Sequence, residues 1–343
     1  MANLPDQPLS PLASAVASLV EPFYAAAMRI RNGMYDQGFL AVRTLGRPAV
    51  SVGNITTGGT GKTPVSIWLA DRLSRANHHP AILLRGYKRT PEGVSDEEEV
   101  LRNALAGRAA VIADPDRIRG AAVALREHPE TTVFVLDDAM QHRRAARNFD
   151  LVLIHAGNFG PPRYDRILPR GLLREPLEGL KRASAFLITH VGEVGAADLS
   201  GVESAIRRHN PQAAIYHADH IVSGFLGPDG HPRDPAGTKY FAFCGLANPG
   251  SFTAGLVERL GQPAGRRIYP DHHAYDPSDL NELRLAAESA GAEFLITTEK
   301  DWAKLCRLPI SLPILRAQLT LKFQDDHEER LFAAICNAIG KPD

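Results

Sequence analysis

The pattern of apolar and polar positions alternates between two periodicities along this chain. Short continuous apolar runs, bounded by turn residues, alternate with longer segments in which apolar residues recur every three or four positions. Such runs are typical of strands buried on both faces, and such longer segments of helices that connect parallel strands. The pattern therefore predicts an α/β fold with a mostly parallel sheet. The predicted strands cover 49–52, 81–84, 109–112, 132–136, 151–154, 185–188, 240–244 and 294–297, and the predicted helices cover 64–76, 251–260 and 278–290.

Two segments interrupt this pattern and suggest how the chain is divided. Residues 157–182 are rich in proline and arginine, and a long loop of this kind is usually functional. Residues 223–237 are rich in glycine, proline and aspartate, which indicates a domain boundary. We therefore predict an N-terminal helix within 1–30, a first domain over 31–222 and a smaller α/β domain over 223–343, whose last helix can pack back on the first domain.

The N-terminal segment is poor in charge. Between positions 8 and 28 only Glu21 carries a charge, and Arg29 and Arg31 follow. The chain lacks the basic start of a signal peptide, so we expect no cleavage, and no apolar stretch is long enough to predict a transmembrane helix. Apolar residues at helical spacing favour either a helix on a membrane surface or a helix packed on its own domain. These residues are Leu12, Val16, Val20, Phe23 and Tyr24.

The composition excludes several classes of protein. The chain has 343 residues, of which 44% are hydrophobic, and it can bury a core without disulfides. Lys+Arg and Asp+Glu both number 39, so the zero net charge gives no indication of a nucleic-acid partner. Cys244, Cys306 and Cys336 form no C-x-x-C pair and are expected to be reduced thiols. No segment indicates an obligate protein partner, and the sequence leaves the oligomeric state open.

A glycine-rich turn follows the first predicted strand. A helix comes directly after this turn, which is the setting that a phosphate-binding P-loop requires. Glycines let backbone N–H groups point at phosphate oxygens, the lysine reaches the β- and γ-phosphates, and the threonine hydroxyl can bind Mg²⁺. Thr56 stands where the pattern G-x-x-x-x-G-K-[ST] has its first glycine. The turn predicts ATP and Mg²⁺ as cofactors, bound by Thr57, Gly58, Gly59, Thr60, Gly61, Lys62 and Thr63.

Two acidic residues end another buried strand. Asp137 and Asp138 follow the apolar run 132–136. In P-loop enzymes a carboxylate at this position holds Mg²⁺ directly or through water. The alternative is an aspartate pair that only caps the turn after the strand. The sequence favours a metal site shared with Thr63, and it leaves open which aspartate contacts the ion.

Taken together, the motifs resemble one family, the tetraacyldisaccharide 4′-kinases, which are the lipid A 4′-kinases of Gram-negative bacteria. The resemblance covers about residues 48–304. In two places the chain departs from the family pattern: Ala139 and Met140 replace Gly-Phe in the family's Asp-Asp-Gly-Phe-Gln-His, and Ser95 replaces the glycine before Asp96. The matching segments are 51–64, Arg85-Gly86-Tyr87, Asp137-Asp138 with Gln141-His142, 168–176, Tyr269-Pro270-Asp271-His272-His273 and Thr297-Thr298-Glu299-Lys300-Asp301.

The resemblance implies a P-loop domain with a second, smaller α/β domain. It also implies transfer of the γ-phosphate of ATP to the 4′-hydroxyl of a tetraacylated glucosamine disaccharide 1-phosphate, with lipid IVA as product. Because this acceptor is a lipid of the inner membrane, the resemblance favours a membrane-docked N-terminal helix. The protein is then expected at the cytoplasmic face of the inner membrane, with that helix on the surface or shallowly inserted.

The resemblance also assigns catalytic roles. Asp96 matches the general base, and His272 would orient it and share its proton, in addition to Lys62 and Asp138. By composition alone, Asp96 belongs to a solvated acidic run and His272 to a helix-capping turn. Glu175 is a further candidate Mg²⁺ ligand, the alternative being a salt bridge to a nearby arginine. Candidates for the 1-phosphate of the lipid, or for a solvated basic face, are Arg163, Arg166, Arg170 and Arg174.

Other classes of function compete with a lipid kinase. ATP-driven switch proteins of the partitioning type resemble this P-loop but carry a lysine directly before the Gly-Gly, where this chain has Thr57. A GTPase would need Asn-Lys-x-Asp, which the sequence around Lys300 does not match. A soluble small-molecule kinase stays open as an alternative, because a P-loop does not define the acceptor.

Overall fold

The chain folds into two units in the computed structural model, which describes residues 10–86, 95–160, 165–246, 248–271, 273–308 and 313–341. The larger unit contains the described residues of Pro5–Tyr87, Leu101–Asp219 and Leu321–Asp343, and the smaller unit contains His220–Thr320 with residues 95–100. The predicted three-part division stays a prediction. The larger unit includes the N-terminal helix and the C-terminal segment, whose last helix was expected to be able to pack back on the first domain.

Helices and strands alternate along both units. The strands are β1 (Ala49–Asn54), β2 (Pro80–Leu84), β3 (Ala110–Ala113), β4 (Val133–Asp137), β5 (Phe149–His155), β6 (Ala185–Thr189), β7 (Ala214–Leu226), β8 (Pro232–Arg233), β9 (Tyr240–Cys244), β10 (Gly265–Ile268), β11 (Phe294–Thr298) and β12 (Ile314–Phe323). The helices are α1 (Pro11–Asp36), α2 (Lys62–Arg75), α3 (Asp96–Leu105), α4 (Arg117–Glu127), α5 (Ala196–His209), α6 (Pro249–Leu260), α7 (Pro277–Ser289), α8 (Glu299–Leu305) and α9 (His327–Ile339).

The strand order places several chemically important residues at one edge. In the larger unit the strands run β7-β6-β5-β1-β4-β2-β3, and each neighbouring pair is parallel. In the smaller unit β10, β9, β11 and β12 are neighbours in that order and also pair in parallel. Parallel strands end at the same edge of a sheet, so Asn54, Asp137, His155 and Thr189 lie along one edge of the larger unit.

Helices cover both faces of the sheet in the larger unit. Leu331, Ile335 and Ile339 of α9, spaced four residues apart, pack with β1 on one face. Tyr24 and Ala25 of α1 pack on the cluster of the other face. Burying such side chains is worth about 1.5–3 kcal/mol for each large one, which explains why both terminal helices join the larger unit.

The predicted fold class is confirmed. Every predicted strand and helix is present. The N-terminal helix continues to Asp36, beyond its predicted limit at residue 30, and the ends of the other elements with predicted bounds differ by two residues at most. The elements that the sequence analysis missed have weaker patterns, such as α3, whose first turn is the acidic run. In the part of the chain that the structure describes, no helix combines the length and the apolarity needed to cross a bilayer. All three cysteines are free thiols.

Candidate functional site: a phosphate cradle with a paired lysine and aspartate

The glycine-rich turn joins the end of β1 to the start of α2. Two of its glycines have a positive φ, +104° at Gly58 and +76° at Gly61, which residues with a side chain rarely adopt. Gly61 is the N-cap of α2, and Lys62 and Thr63 begin that helix. A helix N-terminus that follows such a turn attracts anions through its N–H groups and its dipole. The local backbone therefore has the properties of a phosphate-binding P-loop.

Hydrogen bonds from the strand ends hold the turn in shape. The Asn54 amide donates to Thr60 Oγ1 at 2.9 Å, and Lys62 Nζ donates to Asn54 Oδ1 at 3.2 Å. The Thr189 hydroxyl at the end of β6 donates to the Thr60 carbonyl at 3.3 Å. Asn54 thus keeps the lysine amine beside the turn. The sequence analysis did not give Asn54 this role, although the residue stood in the matching motif.

Thr56 stands where the P-loop pattern has its first glycine, at a point where the backbone pairs with the segment around Leu173. Thr56 is buried and forms an antiparallel bridge with Leu173, and the Thr57 N–H donates to the Leu172 carbonyl at 2.7 Å. Such extended pairing suits a β-branched residue. The Thr57 N–H is engaged within the protein, and a contact of Thr57 with the nucleotide stays a prediction. The loop that contains Leu172 therefore supports the site.

Asp138 forms ion pairs with two cations. Arg174 donates to both carboxylate oxygens at 2.8 and 2.9 Å, and Lys62 Nζ lies 3.6 Å from Oδ1. Burial alone would raise the pKa of this carboxyl, but Lys62 and Arg174 outweigh burial and hold the pKa of Asp138 below its usual value. The backbone of Asp138 has a φ of +48°, a conformation that is uncommon outside glycine. The arrangement keeps an ionised carboxylate beside the P-loop lysine.

Asp137 is more deeply buried and has a different partner. The Ser66 hydroxyl donates to Asp137 Oδ1 at 2.7 Å. Arg117 donates to the Asp137 carbonyl at 2.9 Å. Ser66 lies three residues after Thr63 on α2, so both hydroxyls belong to the same face of the helix. Asp137 is therefore associated with the first turns of α2, and Asp138 with the cations.

Glu175 is fully buried, and both of its oxygens are engaged. Arg182 donates to them at 2.9 and 2.8 Å, Asn32 of α1 donates to Oε2 at 2.8 Å, and Gln141 donates to Oε1 at 3.0 Å. Gln141 also donates to the Asn54 carbonyl at 3.0 Å. Glu175 thus links α1, β1 and the segment after β4. Its role as an Mg²⁺ ligand stays a prediction, and this role would require one of these bonds to open.

Asp96 begins α3 and belongs to the smaller unit. The acidic run is therefore the first turn of a helix, where carboxylates interact favourably with the helix dipole. Asp96 Oδ2 lies 4.0 Å from Lys304 Nζ. His272 lies outside the described residues, so its pairing with Asp96 stays a prediction. The neighbouring Asp271 lies 3.5 Å from Lys300.

One face of α1 is packed and the other is exposed. The Tyr24 hydroxyl donates to the Arg174 carbonyl at 3.0 Å, and Ala17 and Ala25 are buried. On the other face, Leu19 is 72% exposed and Phe23 is 77% exposed, and Val16, Val20 and Ile30 are exposed with them. The side chain of Leu12 lies outside the described residues. One face of the helix therefore packs on its own unit, and docking of the exposed face on a membrane stays a prediction.

The arginines of the loop separate into different environments. Arg174 binds Asp138, as described above, and Arg170 lies 3.6 Å from Glu21 of α1. Arg166 and Arg29 line an open cavity of about 440 Å³ beside α1. Arg163 lies outside the described residues. The predicted group of four arginines is therefore not one basic patch in the part that the structure describes.

A second group of possible metal ligands lies at the ends of β5 and β6. Ligand atoms of His155, His190 and Glu193 are all within 4.8 Å of one another. However, His155 Nδ1 accepts the Gly157 N–H at 3.1 Å, which leaves the proton of the neutral ring on Nε2. Burial lowers the pKa of His155 to about 4, so the ring is neutral. A protonated nitrogen is not a metal ligand, so this tautomer disfavours a metal site here.

The parallel sheet, the glycine-rich turn before α2 and the two aspartates at the end of β4 define a P-loop nucleotide-binding protein. Over residues 13–337 the chain also matches the family described as Tetraacyldisaccharide-1-P 4′-kinase. The chain belongs to this family.

Individual relatives agree with this assignment. The chain is 35% identical over 305 residues to the tetraacyldisaccharide 4′-kinase of Anaeromyxobacter sp. (strain Fw109-5), across 84% of this chain and 81% of the relative. It is 33% identical over 315 residues to that of Chlorobium limicola, across 87% of each. The crystal structure of "apo" form LpxK from Aquifex aeolicus in complex with ATP has a TM-score of 0.72 and 26% identity, across 94% of this chain and 99% of the other.

Proposed function

We propose that this chain transfers the γ-phosphate of ATP to the 4′-hydroxyl of tetraacyldisaccharide 1-phosphate, the step of lipid A biosynthesis that yields lipid IVA. The observation that carries this proposal is a P-loop turn with Lys62 Nζ 3.6 Å from Asp138 Oδ1, in a chain of the tetraacyldisaccharide-1-P 4′-kinase family. Relatives along most of the chain are named for this activity. A switch ATPase or a soluble kinase has no comparable support.

Phosphoryl transfer depends on positioning and on charge neutralisation more than on covalent chemistry by the protein. Residues 58–63 and the N-terminus of α2 bind the phosphates of ATP. Lys62 Nζ, held 3.2 Å from Asn54 Oδ1, reaches the β- and γ-phosphates and offsets their charge. Because Asn54 and Asp138 already position the amine, little side-chain reorganisation is needed when ATP binds.

The donor set fits Mg²⁺, which prefers hard oxygen ligands. Thr63, Asp137 and Asp138 would hold the ion, and Glu175 is a further candidate. When bound, Mg²⁺ would neutralise charge on the phosphate oxygens. Asp137, next to the Ser66 hydroxyl on α2, and Asp138, beside Lys62 and Arg174, would supply carboxylate oxygens to the ion.

The acceptor hydroxyl needs a group that takes its proton. In this proposal Asp96 is that general base and His272 orients it, with support from the family motif and from the position of Asp96 at the start of α3.

The lipid acceptor suggests a function for the exposed face of α1. Leu19 and Phe23 would enter the interfacial region of the inner membrane at its cytoplasmic side, while Tyr24 keeps the helix on its own unit. The adjacent cavity has Arg29 and Arg166 in its wall together with the carboxylates of Glu21, Asp165 and Glu178, and is suited to a polar part of the lipid.

The decisive experiment follows transfer of labelled phosphate. Purified enzyme receives ATP labelled at the γ-phosphate. One sample contains tetraacyldisaccharide 1-phosphate in detergent micelles, and the other contains water-soluble glucosamine acceptors. We expect label in the lipid alone, and none with Lys62→Ala. Label in soluble acceptors alone would favour the soluble kinase, and release of phosphate without an acceptor would favour the switch ATPase.

A further inference from the structure

Lys304 is a buried cation whose contacts suggest a function. Its side chain is 11% exposed, and its Nζ has no hydrogen-bond partner among the residues that the structure describes. Two carboxylates lie just beyond hydrogen-bond distance, Asp301 Oδ1 at 3.8 Å and Asp96 Oδ2 at 4.0 Å. A buried ammonium normally requires such compensation, so its position between two carboxylates calls for an explanation.

The two carboxylates are not equivalent. Asp301 is fully buried, and its Oδ2 accepts hydrogen bonds from the Gly245 N–H at 3.0 Å and the Thr298 hydroxyl at 2.7 Å. Asp301 is therefore fixed by its own unit. Asp96 is partly exposed, at 21% of its side chain, and it is the residue proposed above as general base. Lys304 thus joins a fixed carboxylate to a partly accessible one.

The ammonium group is enclosed, so it does not face a ligand directly. Any effect of Lys304 on the reaction must therefore pass through the groups that it contacts. Burial lowers the pKa of Lys304, while Asp301 and Asp96 act in the opposite direction. The other charged groups near it are Lys300, which lowers this pKa further, and Asp271, which raises it.

We propose that Lys304 is a positioning residue for the phosphoryl-transfer reaction: anchored by Asp301, its ammonium holds the Asp96 carboxylate in the orientation from which it accepts the proton of the acceptor hydroxyl. This inference rests on the role of Asp96 in the proposed function. Small displacements of a reacting group cost about 10²-fold in rate, so a charge that fixes Asp96 has a measurable effect.

A second ion pair connects α3 with the end of the α8 region and provides a matched control. Arg307, just after α8, lies 2.5 Å from Glu99 of α3, and like Lys304 it attaches the first turn of α3. If Lys304 only fastened the helix, loss of Lys304 and loss of Arg307 would have similar effects. If Lys304 positions Asp96, the two variants differ.

The experiment measures kcat and KM for both substrates, against pH, in Lys304→Met, Lys304→Gln, Lys304→Arg and Arg307→Met. We expect Lys304→Met and Lys304→Gln to lower kcat by about 10–10²-fold with KM for ATP unchanged. Lys304→Arg should retain most of the wild-type kcat, and Arg307→Met should have little effect. Because burial lowers the pKa of Lys304, wild-type kcat should fall on the alkaline side as the amine loses its proton. Arg keeps its charge, so Lys304→Arg should extend activity to higher pH.

The variant Asp96→Asn separates this inference from the proposed function. If Asp96→Asn loses activity, and adding Lys304→Met causes no further loss, the two residues act as a unit. If Asp96→Asn loses activity but Lys304→Met and Lys304→Gln keep normal kcat, the positioning role is refuted and the kinase proposal stands. Equal losses in Lys304→Met and Arg307→Met without rescue by Arg would show a structural attachment alone. Normal kcat in Asp96→Asn would overturn the base assignment itself.

Discussion

At the scale of single residues, the site is organised by which cation faces which carboxylate. Lys62 and Arg174 share Asp138, whereas Asp137 accepts a hydrogen bond from a neutral hydroxyl of α2. A metal ion that entered would compete with the two cations at Asp138 and with the Ser66 hydroxyl at Asp137. We therefore expect substitutions of the two neighbouring aspartates to have separable effects on metal use.

The variants Asp137→Asn and Asp138→Asn test this difference. Asp138→Asn leaves Lys62 and Arg174 without their shared carboxylate, so we expect a lower kcat and a higher Mg²⁺ requirement. Asp137→Asn should raise the Mg²⁺ requirement and lower the melting temperature, because Asp137 is buried against Ser66. The measurement is activity against free Mg²⁺, with Mn²⁺ as a second ion. Normal activity and an unchanged metal requirement in both variants would place the metal elsewhere.

The base assignment predicts a specific kinetic loss. Asp96→Asn keeps the shape of the side chain but cannot take up a proton as a carboxylate does. We expect kcat to fall by about 10²–10⁴-fold, the usual contribution of general acid–base catalysis, while ATP affinity stays within a few fold. His272→Ala should also lower kcat. The kcat of the double variant should be little lower than that of the less active single variant. Strictly multiplicative losses would show that the two residues act independently.

At the scale of elements, α1 combines a packed face with an exposed apolar face. Tyr24 and Asn32 attach it to Arg174 and Glu175, which are consecutive in the chain. Arg174 in turn binds Asp138. The helix that we propose to contact the membrane is therefore linked to the phosphate site through two neighbouring residues.

We expect the fold to tolerate substitutions on the exposed face of α1, because Leu19 and Phe23 are 72% and 77% exposed. We expect Leu19→Ser with Phe23→Ser to abolish binding to vesicles of phosphatidylethanolamine and phosphatidylglycerol, and to raise KM for the lipid more than KM for ATP. The reason is that these side chains make the apolar contact with the bilayer. The control is Leu285→Ser on α7, which is 51% exposed. Retention of the double variant on floated vesicles would refute docking by this face.

Substitution of the buried Glu175 is expected to lower the free energy of unfolding strongly. Glu175→Gln removes a buried charge and leaves Arg182 without its partner, and breaking a buried ion pair in this way costs about 3–5 kcal/mol. The matched control is Glu178→Gln, because Glu178 pairs with Arg29 at 3.4 Å at the surface. Surface pairs contribute about 0–1 kcal/mol. Urea denaturation measures the free energy of unfolding of both variants. Equal losses in Glu175→Gln and Glu178→Gln would contradict the structural role of Glu175.

At the scale of the whole molecule, the nucleotide should stabilise the fold. A ligand that binds only the native state at a concentration of 100 times its Kd adds about 2.7 kcal/mol to the free energy of unfolding. We expect Mg²⁺-ATP to raise the melting temperature of the wild type, and to do so far less in Lys62→Ala, because the P-loop amine is lost. Equal stabilisation of both proteins, measured by calorimetry, would locate the nucleotide outside the P-loop.

The sequence by itself determined the features that depend on neighbouring residues. Buried strands such as β1, β4 and β9 appear as continuous apolar runs, because both of their faces are covered. The P-loop could be predicted because glycine, lysine and threonine act within one turn between a strand and a helix. The aspartates after β4 were found in the same way, from their position at a strand end.

Only the tertiary structure decided the pairings between distant segments. Arg174 reaches Asp138 across 36 positions, and Asn32 reaches Glu175 across 143, distances at which no periodicity or local motif predicts a partner. The acidic run around Asp96 was read as solvated because its composition is polar, whereas the structure makes it the first turn of a helix beside Lys304. Local patterns fix helices, strands and the cradle, but the partner of a charge depends on how those elements pack.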